Sequence, residues 1–197
     1  MRDILYMLMT SVLASNVIFV RFEGLCGFLG SSAKRSTASY ISLSTGFVLI
    51  ASAAINWALY HLVLLPLNLL YLETVLYLFV IACLVQLCEN FAGKLSKSLS
   101  RELGIYPVLI LTNSAVLSLT LDNVSRNLSF GMSVFAAFCV ALGYFLATFL
   151  FGAVCSRLQS EEIPESFRGL PAILIAAAIV SLAFFGFEGV VDGIFGM

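Results

Sequence analysis

A cysteine set between glycines, Gly24-Leu-Cys26-Gly27-Phe, is the segment of the sequence with the clearest capacity for chemistry. Neighbouring glycines let backbone amides approach a thiolate sulfur, which favours iron–sulfur ligation. A lone free cysteine in an apolar segment is more often a small packing residue, so the residues alone leave both interpretations open. The other four cysteines lie mostly in apolar runs and form no CxxC or CxxH motif, which argues against zinc and against a disulfide framework.

Ionisable residues stand beside this cysteine and at the end of a later apolar run. Ionisable side chains are costly at membrane depth, so each is a candidate functional residue. Arg21 and Glu23 precede Cys26 and are predicted either to pair with each other or to tune a redox centre at the cysteine. Glu89 lies about one turn from Lys94, and we expect it to be an interfacial residue paired at a helix end.

The composition shows what surrounds these residues. Of the 197 residues, 61% are hydrophobic and only 11% are charged, and the formal net charge is -1. An ordinary soluble domain has about 45–50% apolar and about 25% charged residues, so a soluble enzyme is improbable. A net charge so close to zero leaves no basic face for nucleic acid, which argues against nucleic acid as a partner. The apolar composition instead predicts that the chain contacts the lipid bilayer.

Six apolar runs are long enough, or nearly so, to cross a bilayer whose core needs roughly 20 residues per helix. They lie near residues 4–20, 40–65, 69–91, 104–121, 128–154 and 170–191. The sequence therefore predicts an all-α integral membrane protein with six transmembrane helices in a single membrane domain, residues 1–197.

The cations predict the orientation of these helices, because Lys and Arg in short loops are retained on the cytoplasmic side. Eight of the ten fall after the first, third and fifth spans, whereas Arg2 and Arg126 fall on the other side. We therefore expect a multi-pass protein of a bacterial or archaeal cytoplasmic (inner) membrane with both termini outside.

The first and fourth spans are interrupted in similar ways. The first runs through Ser15-Asn16 into a glycine-rich stretch, and the fourth passes Pro107 on its way to Asn113 and Ser114. Irregular backbone at membrane depth is tolerated only where protein buries it, so these two broken helices should pack together. Three spans precede the fourth, which predicts two inverted three-helix repeats, about residues 1–92 and 93–197, with a functional site near the midplane.

Several longer motifs carry a resemblance to a known family. They are Asn16-Val-Ile-Phe-Val-Arg-Phe-Glu-Gly-Leu-Cys26-Gly-Phe-Leu-Gly30, Leu65-Pro-Leu-Asn-Leu-Leu-Tyr-Leu-Glu-Thr74, Val85-Gln-Leu-Cys-Glu89, Leu103-Gly-Ile-Tyr-Pro107, Thr112-Asn-Ser-Ala-Val116, Ile163-Pro-Glu-Ser-Phe-Arg-Gly169 and Ser181-Leu-Ala-Phe-Phe-Gly-Phe-Glu-Gly189. Over essentially its whole length the chain resembles the A subunits of the Rnf electron-transport complex. It is also similar to the D and E subunits of the sodium-translocating NADH:quinone reductase.

The resemblance implies a subunit of a translocase-type oxidoreductase that is not catalytic alone. In that family the A subunits form a pseudo-symmetric pair with a homologous E subunit, beside the B, C, D and G subunits. The pair holds an intramembrane [2Fe-2S] cluster that relays electrons between cytoplasmic iron–sulfur and external flavin subunits. The whole complex is a ferredoxin:NAD oxidoreductase that moves Na⁺ or H⁺.

Carried over residue by residue, the resemblance implies cluster ligands at Cys26 and at position 114, with Gly24, Gly27 and Asn113 around them. The family has cysteine where this chain has Ser114, so ligation would change to three cysteines and a serine, or to another set of groups. A serine oxygen is a harder donor that should lower the cluster potential or weaken binding. Glu23 and Gly27 also depart from the usual apolar residue and proline.

A function of a different class remains open, because inverted repeats and broken helices are equally typical of a secondary transporter or ion channel. Such a protein would use Asn16, Asn113 and Ser114 to hold its solute and would have no use for Cys26. The iron and labile sulfide content of the purified complex would distinguish the two.

Overall fold

The protein is described from a computed structural model that covers residues 2–25, 35–95, 113–158, 163–164 and 167–195. All regular elements in these ranges are helical, which confirms the all-helical class predicted from the sequence. The helices are α1 (Arg2–Met9), α2 (Arg35–Leu59), α3 (Glu73–Leu95), α4 (Ser114–Ser125), α5 (Phe130–Leu158) and α6 (Leu170–Phe195). Their arrangement as two inverted repeats stays a prediction.

Two helices are too short to cross a bilayer. Helix α1 continues for one π-helical turn, Thr10–Ala14, and the chain then leaves helical geometry at Ser15. Helix α4 has 12 residues, which at 1.5 Å per residue extend about 18 Å against a hydrocarbon core of about 30 Å. Neither helix is therefore long enough to span the hydrocarbon core by itself.

Three apolar helical segments in the described ranges are long enough to span a membrane: Ile41–Leu67, Leu70–Cys88 and Phe130–Leu158. A shorter apolar segment, Leu170–Gly186, lies in α6. The first of these passes from α2 through a π-helical turn, Tyr60–Leu64, and a short helix, Leu65–Leu67, that ends at Asn68 in left-handed geometry. A 3₁₀ turn, Leu70–Leu72, then leads into α3.

Helix α5 lies at the centre of the fold, because both hydrophobic clusters of the described residues include it. Against α2 the packing is close: a Cβ at Gly46 would lie 3.4 Å from the Ala141 side chain, an ordinary contact distance. Small residues let membrane helices approach closely where lipid offers no hydrophobic drive for association. On the other side of α5, Phe19 packs between Phe151 of α5 and Phe184 of α6.

The end of α2 meets the loop between α4 and α5. The Trp57 indole N–H donates to the Leu128 carbonyl oxygen at 2.9 Å, and its ring meets Phe130 edge-on at 5.2 Å. His61 stacks on Trp57 with ring centroids 4.1 Å apart. These contacts place the α2 end and the α4–α5 loop at one end of the bundle.

Candidate functional site

The chain after α1 forms a turn segment, residues 15–24, that the sequence predicted as the interruption of the first span. Asn16, fully buried, holds its start: its amide N–H group donates to the carbonyls of Val12 and Gly143, at 2.9 and 3.1 Å. Its Oδ1 accepts from the Ile18 backbone N–H at 3.1 Å. One side chain therefore satisfies backbone groups that a helix end would leave unpaired in lipid.

Helix α5 accepts this segment at a glycine. A Cβ at Gly143 would lie 2.8 Å from the Ser11 carbonyl oxygen and 3.3 Å from Val12 Cα, so the α1 backbone lies directly on α5 there. Gly143 and Tyr144 stand at the middle of the 29-residue helix α5. The turn segment therefore contacts α5 near the midpoint of a membrane-spanning helix.

A second anchor comes from α6. The Ser181 hydroxyl, buried in the fold, donates a short hydrogen bond to the Phe19 carbonyl oxygen. The sequence did not single out Ser181 as a site residue. A serine in an otherwise apolar span was the available signal, but its partner is 162 residues away in the chain.

Gly24 joins the turn segment to α4. Its backbone N–H donates to the Ser114 Oγ at 3.0 Å, and its φ of +77° is a left-handed conformation that favours glycine. A Cβ at position 24 would lie 2.6 Å from the Asn113 Oδ1. The structure therefore brings together three of the predicted site residues, Gly24, Asn113 and Ser114.

Asn113 begins α4 as its N-cap. Its Oδ1 accepts from the Ala115 backbone N–H at 3.0 Å, and its amide N–H group donates to the Tyr144 hydroxyl at 3.4 Å. Asn113 is only 3% exposed, whereas the next residue, Ser114, is exposed on the surface of the single chain. Position 114 therefore lies at the middle of the bundle and is open to a neighbour outside it.

The charged residues of the turn segment have partners on α4. Arg21 pairs with Asp122 at 2.6 Å, and the Glu23 carboxylate accepts from the Ser118 hydroxyl at 2.9 Å. The sequence predicted either an ion pair between Arg21 and Glu23 or a role in tuning a redox centre. The first of these predictions is wrong. Both side chains reach across to α4 instead, because the turn segment lies along that helix.

The Arg21–Asp122 ion pair also changes the count of cytoplasmic cations on which the predicted membrane orientation depends. Arg21 was assigned to a cytoplasmic loop, but its side chain binds Asp122 near the end of α4, on the side of the α4–α5 loop. Because α1 is short, Arg21 lies beside α4 and stays partly exposed. Seven of the other nine cations still fall in the loops assigned to the cytoplasm.

Cys26 and Gly27 lie outside the described residues, and so does the side chain of Glu89. Within the described ranges, no three His, Cys, Asp or Glu side chains are placed to hold a metal ion. The four described cysteines form no disulfide with one another: Cys139 and Cys155 are buried, Cys88 is half-buried and Cys83 is exposed. The described part of this chain therefore brings position 114 and the Gly24 amide together, but contains no complete ligand set for a metal.

Comparison with known proteins agrees with this architecture. A sequence model of the family described as "Rnf-Nqr subunit, membrane protein" matches residues 4–191, and the chain belongs to this family. Among its relatives is a protein of Syntrophotalea carbinolica named as the A subunit of an ion-translocating oxidoreductase complex. It is 42% identical over 98% of this chain and 100% of the relative.

Two further relatives carry the same name. The protein of Edwardsiella ictaluri is 42% identical, and the protein of Yersinia pseudotuberculosis is 41% identical. Each alignment covers 97% of this chain and 99% of the relative. The resemblance found in the sequence motifs is confirmed, and it extends over the whole membrane domain.

Proposed function

We propose that this chain is the A-type membrane subunit of an ion-translocating ferredoxin:NAD oxidoreductase. It helps to hold an intramembrane [2Fe-2S] cluster, shared with a homologous E-type subunit. The cluster relays electrons between cytoplasmic iron–sulfur and external flavin subunits, with B, C, D and G subunits completing the complex. The relatives, which are named as A subunits of an ion-translocating oxidoreductase complex, support the first part of this proposal.

The observation that carries the cluster assignment is the hydrogen bond from the Gly24 N–H to the Ser114 Oγ. It brings the chain two residues before Cys26 against the first residue of α4, at the level of Tyr144. Both belong to interrupted segments that two inverted repeats would supply. The ligand positions proposed from the sequence, Cys26 and position 114, are then contributed from the two halves of one chain.

The surroundings of position 114 fit an iron–sulfur centre in two respects. A backbone N–H points at the γ atom of residue 114, as the amides around cluster sulfurs do. In addition, Ser114 is the first residue of α4, whose N-terminus carries the positive end of the helix dipole. A cluster with thiolate ligands is anionic, so both features favour its binding.

The ligand at position 114 fits less well, because it is a hydroxyl. Cys26 would supply a thiolate, and Ser114 would bind iron only as an alkoxide or else stay a hydrogen-bonded neighbour. When bound, the cluster supplies one-electron transfer. Gly24 and Asn113 hold position 114 in place, and the E-type partner would approach it from the exposed side of Ser114.

Iron and labile sulfide in the purified complex test this proposal. We expect Cys26→Ala to lose the intramembrane cluster and ferredoxin-dependent NAD reduction while the complex stays assembled. Cys83→Ala is the matched control, because Cys83 is a free and exposed cysteine. The reverse change, Ser114→Cys, should raise cluster occupancy or move the potential upward.

A secondary transporter or ion channel is the second candidate, which the inverted repeats predicted from the sequence would equally suit. In that case Cys26→Ala would leave the iron content equal to that of Cys83→Ala. Unchanged iron in the Cys26 variant would therefore contradict the cluster proposal and favour transport without electron transfer.

A further inference from the structure

A cavity of about 80 Å³, lined by both polar and apolar side chains, lies between α1, the turn segment, α4 and α5. Its polar lining includes Thr10, Ser11, Ser15, Arg21, Glu23 and Asp122. Hydroxyl and charged groups are costly inside a hydrocarbon core unless other polar groups or water satisfy them. At roughly 10–15 Å³ per water in a cavity measured in this way, the space holds several water molecules.

One lining group has no protein partner among the described residues. The Thr10 Oγ1 is buried and makes no hydrogen bond, although threonine in a helix commonly bonds back to its own turn. The π-helical turn that begins at Thr10 changes the carbonyl positions of the preceding turn. A buried hydroxyl without a described protein partner, on the wall of this cavity, is a group that water or an ion inside the cavity would satisfy.

The cavity extends along α4 in one direction. Arg126 and Leu128, beyond the end of α4, line one end, and Ser15 and Ala115 line the other. Ala115 follows Ser114 directly, so the inner end lies beside the contact between Gly24 and position 114. The cavity therefore leads from the α4–α5 loop to the middle of the bundle.

The charged side chains along this path differ in whether an opposite charge neutralises them. Arg21 is paired with Asp122 at 2.6 Å, and Arg126 is exposed beside the outer end. Glu23 makes no salt bridge among the described residues, and the one hydrogen bond described for its carboxylate comes from the Ser118 hydroxyl. A carboxylate with hydroxyl oxygens from the same cavity is the donor set that hard cations prefer.

We propose that this cavity is a water-filled half-channel, through which the translocated monovalent cation passes between the α4–α5 side of the membrane and the Glu23 carboxylate. The inference rests on the proposed function in assuming an ion-translocating complex, and it adds the path, its sidedness and the carboxylate. The Arg21–Asp122 pair forms part of the wall and keeps both of its charges neutralised beside the path.

Labelling of substituted cysteines tests the half-channel in the assembled complex. Thr10→Cys and Ser11→Cys replace small residues on the cavity wall. Ser52→Cys is the matched control, because Ser52 is fully buried on α2, is not among the cavity-lining residues, and its hydroxyl donates to the Leu49 carbonyl of its own helix. Right-side-out and inverted vesicles are treated with 2-aminoethyl methanethiosulfonate, with free cysteine trapped inside.

We expect the two cavity variants to react at least tenfold faster from the α4–α5 side than from the other side, and faster than Ser52→Cys. Labelling of the unsubstituted protein sets the background from its own cysteines. Equal reaction from both sides, or no reaction above the Ser52→Cys control, would overturn the half-channel. Because this measurement needs no electron transfer, its failure is independent of the iron content that tests the cluster.

The cation part has its own measurement. Na⁺, compared with choline at the same ionic strength, should slow the labelling of Ser11→Cys at least threefold. Adding Glu23→Gln should remove this protection, whereas Glu23→Asp should retain it at higher Na⁺ concentration. Proton uptake into inverted vesicles during electron transfer is measured in parallel. If Na⁺ gives no protection but Glu23→Gln abolishes this redox-driven acidification, the cation is a proton. If Glu23→Gln changes neither measurement, Glu23 is not the binding carboxylate and the proposal is wrong.

Discussion

Replacement of Gly24 by alanine tests the geometry on which the site depends. The new Cβ would lie 2.6 Å from the Asn113 Oδ1, a distance that real Cβ atoms essentially never show. In addition, Gly24 has a φ of +77°, where an L-residue costs about 1–2 kcal/mol. Moving the Asn113 side chain would sacrifice the N-cap of α4, which is worth about 0.5–2 kcal/mol.

Together these effects predict that Gly24→Ala destabilises the protein by about 1.5–4 kcal/mol. The measurement is the thermal or denaturant unfolding of the purified complex, with the iron content recorded in parallel. Gly152→Ala is the control, because a Cβ there would meet nothing within 4 Å and alanine favours the helical backbone of α5.

A double variant separates the two causes. Asn113→Ala removes the oxygen that the new Cβ would strike, so the double variant should lose less stability than the sum of the two single losses. The strain of the left-handed backbone would remain. If Gly24→Ala is as stable as Gly152→Ala, the described approach between the turn segment and α4 is wrong.

Three further predictions concern the rest of the bundle. Gly143→Ala should destabilise the protein by about 1–3 kcal/mol in the same unfolding measurement, because its Cβ would lie 2.8 Å from the Ser11 carbonyl oxygen. Wild-type stability would contradict the close contact between α5 and the π-helical turn after α1. A double-mutant cycle of Arg21→Ala and Asp122→Ala should give a coupling of only about 0.5–1 kcal/mol, because both side chains are about a third exposed; zero coupling would contradict a stabilising contribution of the pair. Lys97→Cys should react with an impermeant thiol reagent only from the cytoplasmic side, and labelling from outside would overturn the predicted orientation.

The sequence by itself was sufficient for the membrane class and for the approximate positions of the long apolar helices. Hydropathy and charge act on each segment separately, so an apolar run of about 20 residues predicts a spanning helix wherever it lies in the chain. The predicted run at residues 128–154 corresponds to α5, Phe130–Leu158, and the interruption expected after Ser15-Asn16 is the turn segment. Gly24, Asn113 and Ser114 were also found from local patterns of glycine and polar residues within apolar runs.

Only the tertiary structure showed which side chains and backbone groups contact one another. Glu23 lies two residues from Arg21 in the chain, yet Arg21 binds Asp122, 101 residues away, because the turn segment folds back along α4. The role of Ser181 depended on a carbonyl of the turn segment, and the cavity on four elements that pack around it. Local propensity sets where a helix begins and ends, but a side chain's partner depends on how the helices pack, which is a property of the whole chain.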